Sequence, residues 1–217
     1  MTKKVLIIDD HPIFRQGLIS LLAENPELQV CGEASDSDSA LKLLNVTSPD
    51  LITLDLTLKI GSGFQLLKKI RHTNKRVRIL VASMHDDLVY AERCISAGAN
   101  GYINKEEASS KILEAIACVL NNNIYLSDRV TKYLALRKLE GYSASDGSPE
   151  TLLSNRELEV FMLIGKGYST QRIAKELHLS TKTIDTHKEH IKKKIGASDN
   201  SELVRQAVAW DIESSFL

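Results

Sequence analysis

The sequence predicts an α/β domain built on a doubly wound five-stranded parallel sheet, followed by a second, smaller all-α domain. Three observations predict this. Apolar runs rich in β-branched residues or leucine alternate five times with helix-spaced segments in the first half, which implies a parallel sheet with right-handed crossovers. From Ser154 onward the segments read instead as helices opened by capping residues. Between the halves lies Gly141-Tyr-Ser-Ala-Ser-Asp-Gly-Ser-Pro149, dense in breakers and small polar residues. The boundaries follow: a first domain over residues 1–121, a linker over 122–151 with a helix at 128–139 and a flexible piece at 140–151, and a second domain over 152–217.

Taken in order, Val5 to Ile8 is a buried first strand stopped by Asp9-Asp10-His11-Pro12. Pro12 suits the first turn of a helix, where its missing N–H is harmless, and Phe14, Leu18, Leu21 and Leu22 continue with helical spacing. Gln29 to Ala34 is a second strand and Ser37 to Asn45 a helix. Leu51 to Leu56 is the third strand, near-continuous in apolar residues as a strand covered on both faces requires, and it carries Asp55 towards its carboxyl end. The loop Gly61-Ser62-Gly63 precedes a helix from Phe64 to Arg71, and Val77 to Ala82 is the fourth strand, ending at Ser83. Leu88 to Ala97 is helical and stops at Gly98, Gly101 to Asn104 is the fifth strand, and Ala108 to Asn121 is the last helix of this half.

Composition narrows the classes. The chain of 217 residues balances 28 basic against 28 acidic residues, but residues 166–194 hold eight Lys/Arg against three acids, a local net of +5. Cys31, Cys94 and Cys118 are odd in number and lack metal-ligand spacing, so reduced thiols of a cytoplasmic protein are expected. Only four apolar residues precede Asp9, too few for a signal peptide, and no apolar run is long enough to span a membrane. No Gly-x-Gly-x-x-Gly follows the first strand, which excludes a dinucleotide-binding enzyme.

Asp9 with Asp10, Asp55, Ser83 and Lys105 lie at or just after the ends of four different strands, and in a parallel sheet those ends share one edge, where open α/β sheets bind ligands. Three carboxylates there repel one another unless a cation sits among them. An all-oxygen site with few protein ligands suits Mg²⁺. A nucleophilic carboxylate, Mg²⁺, a lysine and a hydroxyl together have what phosphoryl transfer needs: positioning and neutralisation of the phosphoryl oxygens.

These residues, with Gly63 and Ala97-Gly98-Ala99-Asn100-Gly101-Tyr102, resemble the receiver domain of two-component response regulators over residues 3–121. The resemblance implies a flavodoxin-like fold in which Asp55 accepts phosphate from a sensor histidine kinase. It further implies that Asp10 binds Mg²⁺ directly with Asp9 assisting, and that the Thr57 backbone carbonyl is another ligand. Ser83 would hydrogen-bond the phosphoryl group, Lys105 would pair with it, and Tyr102 would be the switch aromatic that turns inward. Such a domain is not an enzyme in the ordinary sense, although it promotes phosphoryl transfer onto its own aspartate and slow dephosphorylation. Two positions depart from the family pattern: Lys59 and Glu106 stand where prolines are usual. A cis bond before Glu106 would cost about 2.5 to 4 kcal/mol and is not expected.

In the second half, Ser154 and Glu157 form a capping box, Ser169 caps a helix from Thr170 to Leu177, and Ser180 caps a third helix running to Lys194. Ile184, Ile191 and Ile195 make one stripe of that helix, while Lys182, Asp185, Thr186, Glu189, Lys192 and Lys193 lie opposite. Asp199-Asn-Ser-Glu202 is a further capping box, opening a last helix through Leu203, Ala207, Val208 and Trp210. Two capped helices joined by a short turn give the helix-turn-helix pattern. Residues 152–210 resemble the LuxR-type DNA-binding domain through Leu153-Ser-Asn-Arg156-Glu157-Leu-Glu159-Val, Gly167-Tyr-Ser169, Ile173-Ala174-Lys-Glu-Leu177, Leu179-Ser180-Thr-Lys-Thr183-Ile184-Asp-Thr-His187 and Lys194-Ile195. Receiver and LuxR-type domain together resemble the NarL/FixJ regulators. That resemblance implies base reading by Asp185, Thr186 and Glu189, phosphate contacts by Lys182, Thr183, Lys188 and Lys192, and a homodimer on double-stranded promoter DNA once Asp55 is phosphorylated. Acids at two reading positions depart from the more common basic residues, although Asp or Glu can accept from cytosine N4.

Two other functions remain open at this level. An aspartyl-phosphate hydrolase needs a second acid two residues after the nucleophile, where this chain has Thr57. A regulator that binds DNA constitutively needs none of the strand-end residues.

Overall fold

The computed structural model describes residues 2–139 and 148–215. The chain forms two compact units, Met1–Leu134 and Ala135–Leu217. In the first, strands β1 (Lys3–Ile8), β2 (Leu28–Ala34), β3 (Leu51–Leu54), β4 (Arg78–Ser83) and β5 (Gly101–Asn104) alternate with helices α1 (Pro12–Ala23), α2 (Ser37–Thr47), α3 (Gly63–Thr73), α4 (Asp87–Ser96) and α5 (Lys105–Leu120). The strands lie in the order β2-β1-β3-β4-β5, all parallel, as expected of a doubly wound sheet. Val5, Ile7, Leu51, Leu80, Ala82 and Ile103 pack on Leu18 and Leu22 of α1 and on Ile112, Ala115, Ile116 and Val119 of α5. Alternate residues of the same strands, Leu6, Ile8, Ile52, Leu54, Ile79 and Val81, face the other way and are also at most 1 % exposed. Strand order reverses between β1 and β3, which puts a ligand crevice beyond their carboxyl ends.

Of the boundaries that differ from expectation, two bear on that crevice. β3 ends at Leu54, so Asp55, Leu56 and Thr57 belong to the following loop, which closes on itself through a Thr57–Ser62 bridge and a 2.9 Å bond from the Gly63 N–H to the Leu56 carbonyl. A Cβ on Gly63 would lie 1.8 Å from the Asp55 carbonyl oxygen, so glycine is required there for close backbone approach. Helix α5 begins at Lys105 rather than Ala108. Asn104 caps it by accepting the Glu106 N–H at 2.9 Å, a donor that the usual proline would lack, and Glu106 and Glu107 favour its amino end. No peptide bond among the described residues is cis.

Past α5, Tyr125 bridges to Gly101 on the outer edge of β5, and α6 (Asp128–Leu139) begins with the Ser127 hydroxyl accepting the Val130 N–H at 3.2 Å. Of the expected flexible piece, residues 140–147 lie outside the described residues. Its end is a single helical turn, α7 (Pro149–Leu152), with proline where the N–H is not needed.

The second unit consists of α8 (Asn155–Gly165), α9 (Thr170–Glu176), α10 (Thr181–Ile195) and α11 (Asn200–Ser215) around buried Leu158, Phe161, Ile164, Ile173, Ile184, Ile191, Leu203 and Ala207. The Ser154–Glu157 capping box is present in both directions. A Cβ on Gly165 would lie 2.6 Å from the Ala207 carbonyl, so this glycine admits α11 against the end of α8. His178, at φ +52°, makes the turn between α9 and α10. The second predicted box is only half formed: Asp199 accepts the Glu202 N–H at 2.9 Å, but the Glu202 carboxylate accepts from the Ser198 N–H and hydroxyl at 2.8 and 2.6 Å. Ser198 offers two donors where Asp199 offers one. No helix among the described residues is long and apolar enough to cross a membrane.

Candidate functional site

The parallel register pairs Ile8 with Leu54, so Asp9 and Asp55 leave adjacent strands at the same level. Their backbones hold that position, with the Asp55 N–H on the Ile8 carbonyl at 2.8 Å and the Asp9 N–H on the Ala34 carbonyl at 2.9 Å. Both residues are 2 % exposed. Lys105, first residue of α5, reaches back between them, its Nζ 2.7 Å from Asp9 Oδ2 and 2.6 Å from Asp55 Oδ2. Burial raises the Asp9 carboxyl above its usual range and the Asp55 charge adds to this, while Lys105 opposes both.

One ammonium does not neutralise three carboxylates. Asp9, Asp10 and Asp55 offer ligand atoms within 4.8 Å of one another, joined by His11, whose Nδ1 lies 2.8 Å from Asp10 Oδ1. That Asp10 oxygen is buried and, apart from the His11 ring nitrogen, has no polar partner among the described residues. A cluster of three carboxylates with so few donors fits a hard divalent cation such as Mg²⁺. The structure therefore gathers four of the five residues expected at this edge, Asp9, Asp10, Asp55 and Lys105. Thr57 joins them through its N–H, 3.2 Å from Asp55 Oδ1, and its hydroxyl lies 3.2 Å from His85 Nε2.

Ser83 ends β4 fully buried, its hydroxyl accepting the His85 N–H at 3.4 Å. Tyr102 on β5 is 1 % exposed and donates its hydroxyl to the His85 carbonyl at 2.9 Å, and burial pushes its phenol well above the usual range. Tyr102, expected as the switch aromatic, thus lies inward in this structure. Sequence reasoning missed His11 and His85. Their signal was adjacency, His11 directly after the acid pair and His85 two residues after Ser83, but neither falls at a strand end.

In the second unit, Lys182, Asp185, Thr186 and Glu189 are exposed along α10, opposite Ile184 and Ile191, which are fully buried. The remaining three expected contacts are engaged within the unit. The Thr183 N–H and hydroxyl meet the Ser180 hydroxyl at 3.1 and 2.8 Å, Lys188 donates to the Thr170 hydroxyl at 2.6 Å, and Lys192 pairs with Glu189 at 2.8 Å. Arg156 on α8 anchors the helix-turn-helix by donating to the Leu177 carbonyl at 2.6 Å. Lys194 closes α10 onto Glu157 at 2.6 Å; burial opposes ionisation of Glu157, but the bonds from Lys194 and Ser154 outweigh it and hold the carboxyl below its usual range.

Comparison with known proteins matches each unit to a family. Residues 5–117 match the response regulator receiver domain, and residues 151–207 match the bacterial regulatory proteins of the luxR family. The transcriptional regulatory protein DegU of Brevibacillus brevis is 30 % identical, covering 94 % of this chain and 92 % of its own. The fimbriae Z protein of Salmonella typhimurium is 33 % identical over 96 % of this chain and 97 % of its own. Among solved structures, RcsB from Salmonella enterica serovar Typhimurium, bound to promoter rprA in the presence of phosphomimetic BeF3-, matches with a TM-score of 0.62 and 26 % identity, over 94 % of this chain and 98 % of that one. The chain belongs to the NarL/FixJ family of two-component response regulators, a receiver domain joined to a LuxR-type DNA-binding domain.

Proposed function

We propose that this transcription regulator is controlled through Asp55, which takes a phosphoryl group from a sensor histidine kinase and thereby frees the LuxR-type domain to dimerise on promoter DNA. The observation that carries the proposal is the buried Asp55 carboxylate, 2.6 Å from the Lys105 ammonium and clustered with the Asp9 and Asp10 carboxylates. Asp55 attacks phosphorus while the phosphohistidine nitrogen leaves. Lys105 neutralises charge on the phosphoryl oxygens and Ser83 donates a hydrogen bond to one of them. Asp9, Asp10, Asp55 and the Thr57 carbonyl would hold Mg²⁺, which when bound would supply the remaining positive charge. An acceptor only 2 % exposed keeps water out, which makes dephosphorylation slow.

The proposal assigns residues 1–121 to the receiver, 122–151 to the connector and 152–217 to DNA binding, in a cytoplasmic protein. On DNA, the exposed Asp185, Thr186 and Glu189 read base edges, and Lys182, Thr183, Lys188 and Lys192 meet phosphates. Intact-mass measurement after incubation with a small acyl phosphate tests the reading. One phosphoryl group should appear with Mg²⁺, none after chelation, and none in Asp55→Asn. Undiminished incorporation in Asp55→Asn would remove the assignment.

A further inference from the structure

Ser83, assigned above to bond the phosphoryl group, and Tyr102, which like it bonds the backbone of His85, are each tied to the start of α6. From Ser83 the path runs along the β4–α4 turn, where the Ser83 hydroxyl accepts the His85 N–H and Asp86 caps α4 through the Leu88 N–H at 3.0 Å. The next residue, Asp87, is only 6 % exposed and accepts the Ser127 hydroxyl at 2.7 Å, with Arg129 of α6 3.5 Å away. Ser127 is also the cap of α6, so one hydroxyl both donates to α4 and holds the first turn of α6. From Tyr102 the path is shorter. Its hydroxyl binds the His85 carbonyl, and its N–H donates to the Tyr125 carbonyl at 2.9 Å, while the Tyr125 N–H donates to Asn100 at 3.1 Å. A Cβ on Gly101 would lie 3.0 Å from Tyr125, so glycine at that position lets this extra strand close on β5.

We propose that Ser127 and Asp87 form a latch which holds α6 in register with the β4–α4 turn, and through which the state of the phosphorylation site reaches the connector to the DNA-binding domain. The inference rests on the reading of Asp55 and Ser83 given above. Drawing Ser83 towards a phosphoryl group shifts the turn that carries Asp87. The bond to Ser127 is directional and short, so a displacement that a packed core resists is enough to break it. Ser127 then loses its partner while remaining a cap, and α6 frays or reorients from its amino end. Exposed phosphate chemistry is not needed at Ser127 or Asp87, which act only as positioning residues.

The test uses the full chain with Ser127→Ala, Ser127→Thr and Asp87→Asn. Phosphorylation by a small acyl phosphate with Mg²⁺ is followed by intact mass, hydrogen exchange is followed at the amides of 128–136, and DNA affinity is measured with and without phosphate at one salt concentration. The parent should show faster exchange in α6 on phosphorylation. Ser127→Ala should take up phosphate normally but exchange about tenfold faster in α6 before any phosphate is added, the factor expected for losing a hydrogen bond to a charged partner. Its ratio of phosphorylated to unphosphorylated DNA affinity should fall towards one, and Ser127→Thr, which keeps the hydroxyl, should restore both. A parent that responds while Ser127→Ala responds identically overturns the latch alone. A parent that takes no phosphate on Asp55 overturns the latch and the proposed function together.

Discussion

Lys105 is the perturbation that tests the electrostatics of the receiver most directly, because its ammonium contacts two carboxylates and all three side chains are at most 4 % exposed. Lys105→Met keeps the aliphatic stem and deletes the ammonium, together with its contact 4.6 Å from the Phe14 ring centroid. Two routes bound the cost. Leaving a buried charge without its partner costs about 3 to 5 kcal/mol. Alternatively one carboxyl takes up a proton, and for a group near its ordinary pKa of about 4 this costs roughly 4 kcal/mol at pH 7 and less for a raised one. Asp9 is the group already raised by burial, so it is the one to protonate and the lower part of the range applies, about 3 kcal/mol. For a unit of this size that lowers Tm by about 10 °C. The sign with pH follows: an acid whose folded pKa is raised contributes stability at low pH that is lost as pH rises through that pKa, so the deficit should grow from pH 5 to pH 8. Mg²⁺ at 100 times its Kd should return about 2.7 kcal/mol. Circular dichroism reads both units, and Trp210, the one tryptophan, reports the second unit alone, so the receiver transition is the part of the melt that Trp210 does not follow. A Lys105→Met melt within 2 °C or so of the parent at pH 8 in chelator would refute the reasoning, since the predicted shift is several times larger.

Gly63→Ala should destabilise the receiver more than any exposed alanine substitution and reduce Asp55 phosphorylation, because the added Cβ meets the Asp55 carbonyl at 1.8 Å; an unchanged denaturation midpoint would refute it. Glu157, with a lowered pKa, stabilises the second unit above the unfolded carboxyl value of about 4.3 and loses this as pH falls through its folded pKa. Urea midpoints read by Trp210 should therefore separate the parent from Glu157→Gln at pH 6 and converge by pH 3. On α10, Lys182→Ala should weaken binding to all duplexes alike and lower the salt slope by about one unit. Glu189→Ala should change the ranking of duplexes and also release Lys192 from its 2.8 Å pair. Binding of a panel of duplexes at several salt concentrations checks both, and a ranking moved by Lys182 but not by Glu189 would contradict the division of that helix.

The alternation of buried strands with helical segments was legible because period and burial are local properties of the chain, and five parallel strands necessarily bring Asp9, Asp55, Ser83 and Lys105 to one edge. Helix starts at Ser154, Ser169 and Ser180 were legible for the same reason, since an N-cap bonds within three residues of itself. What the sequence could not determine depends on groups far apart in the chain. Tyr102 lies inward because the His85 carbonyl is there to accept its hydroxyl, 17 residues away. Lys188 and Lys192, read as free for DNA, are held by Thr170 and Glu189. The tie between Asp87 and Ser127 spans 40 residues and joins the first residue of α4 to the cap of α6, each of which reads locally as nothing more than a helix start. Local sequence determined which elements form and which polar residues reach the crevice, whereas only tertiary packing decided which donor meets which acceptor, because buried polar groups pair with whatever the fold brings within about 3 Å.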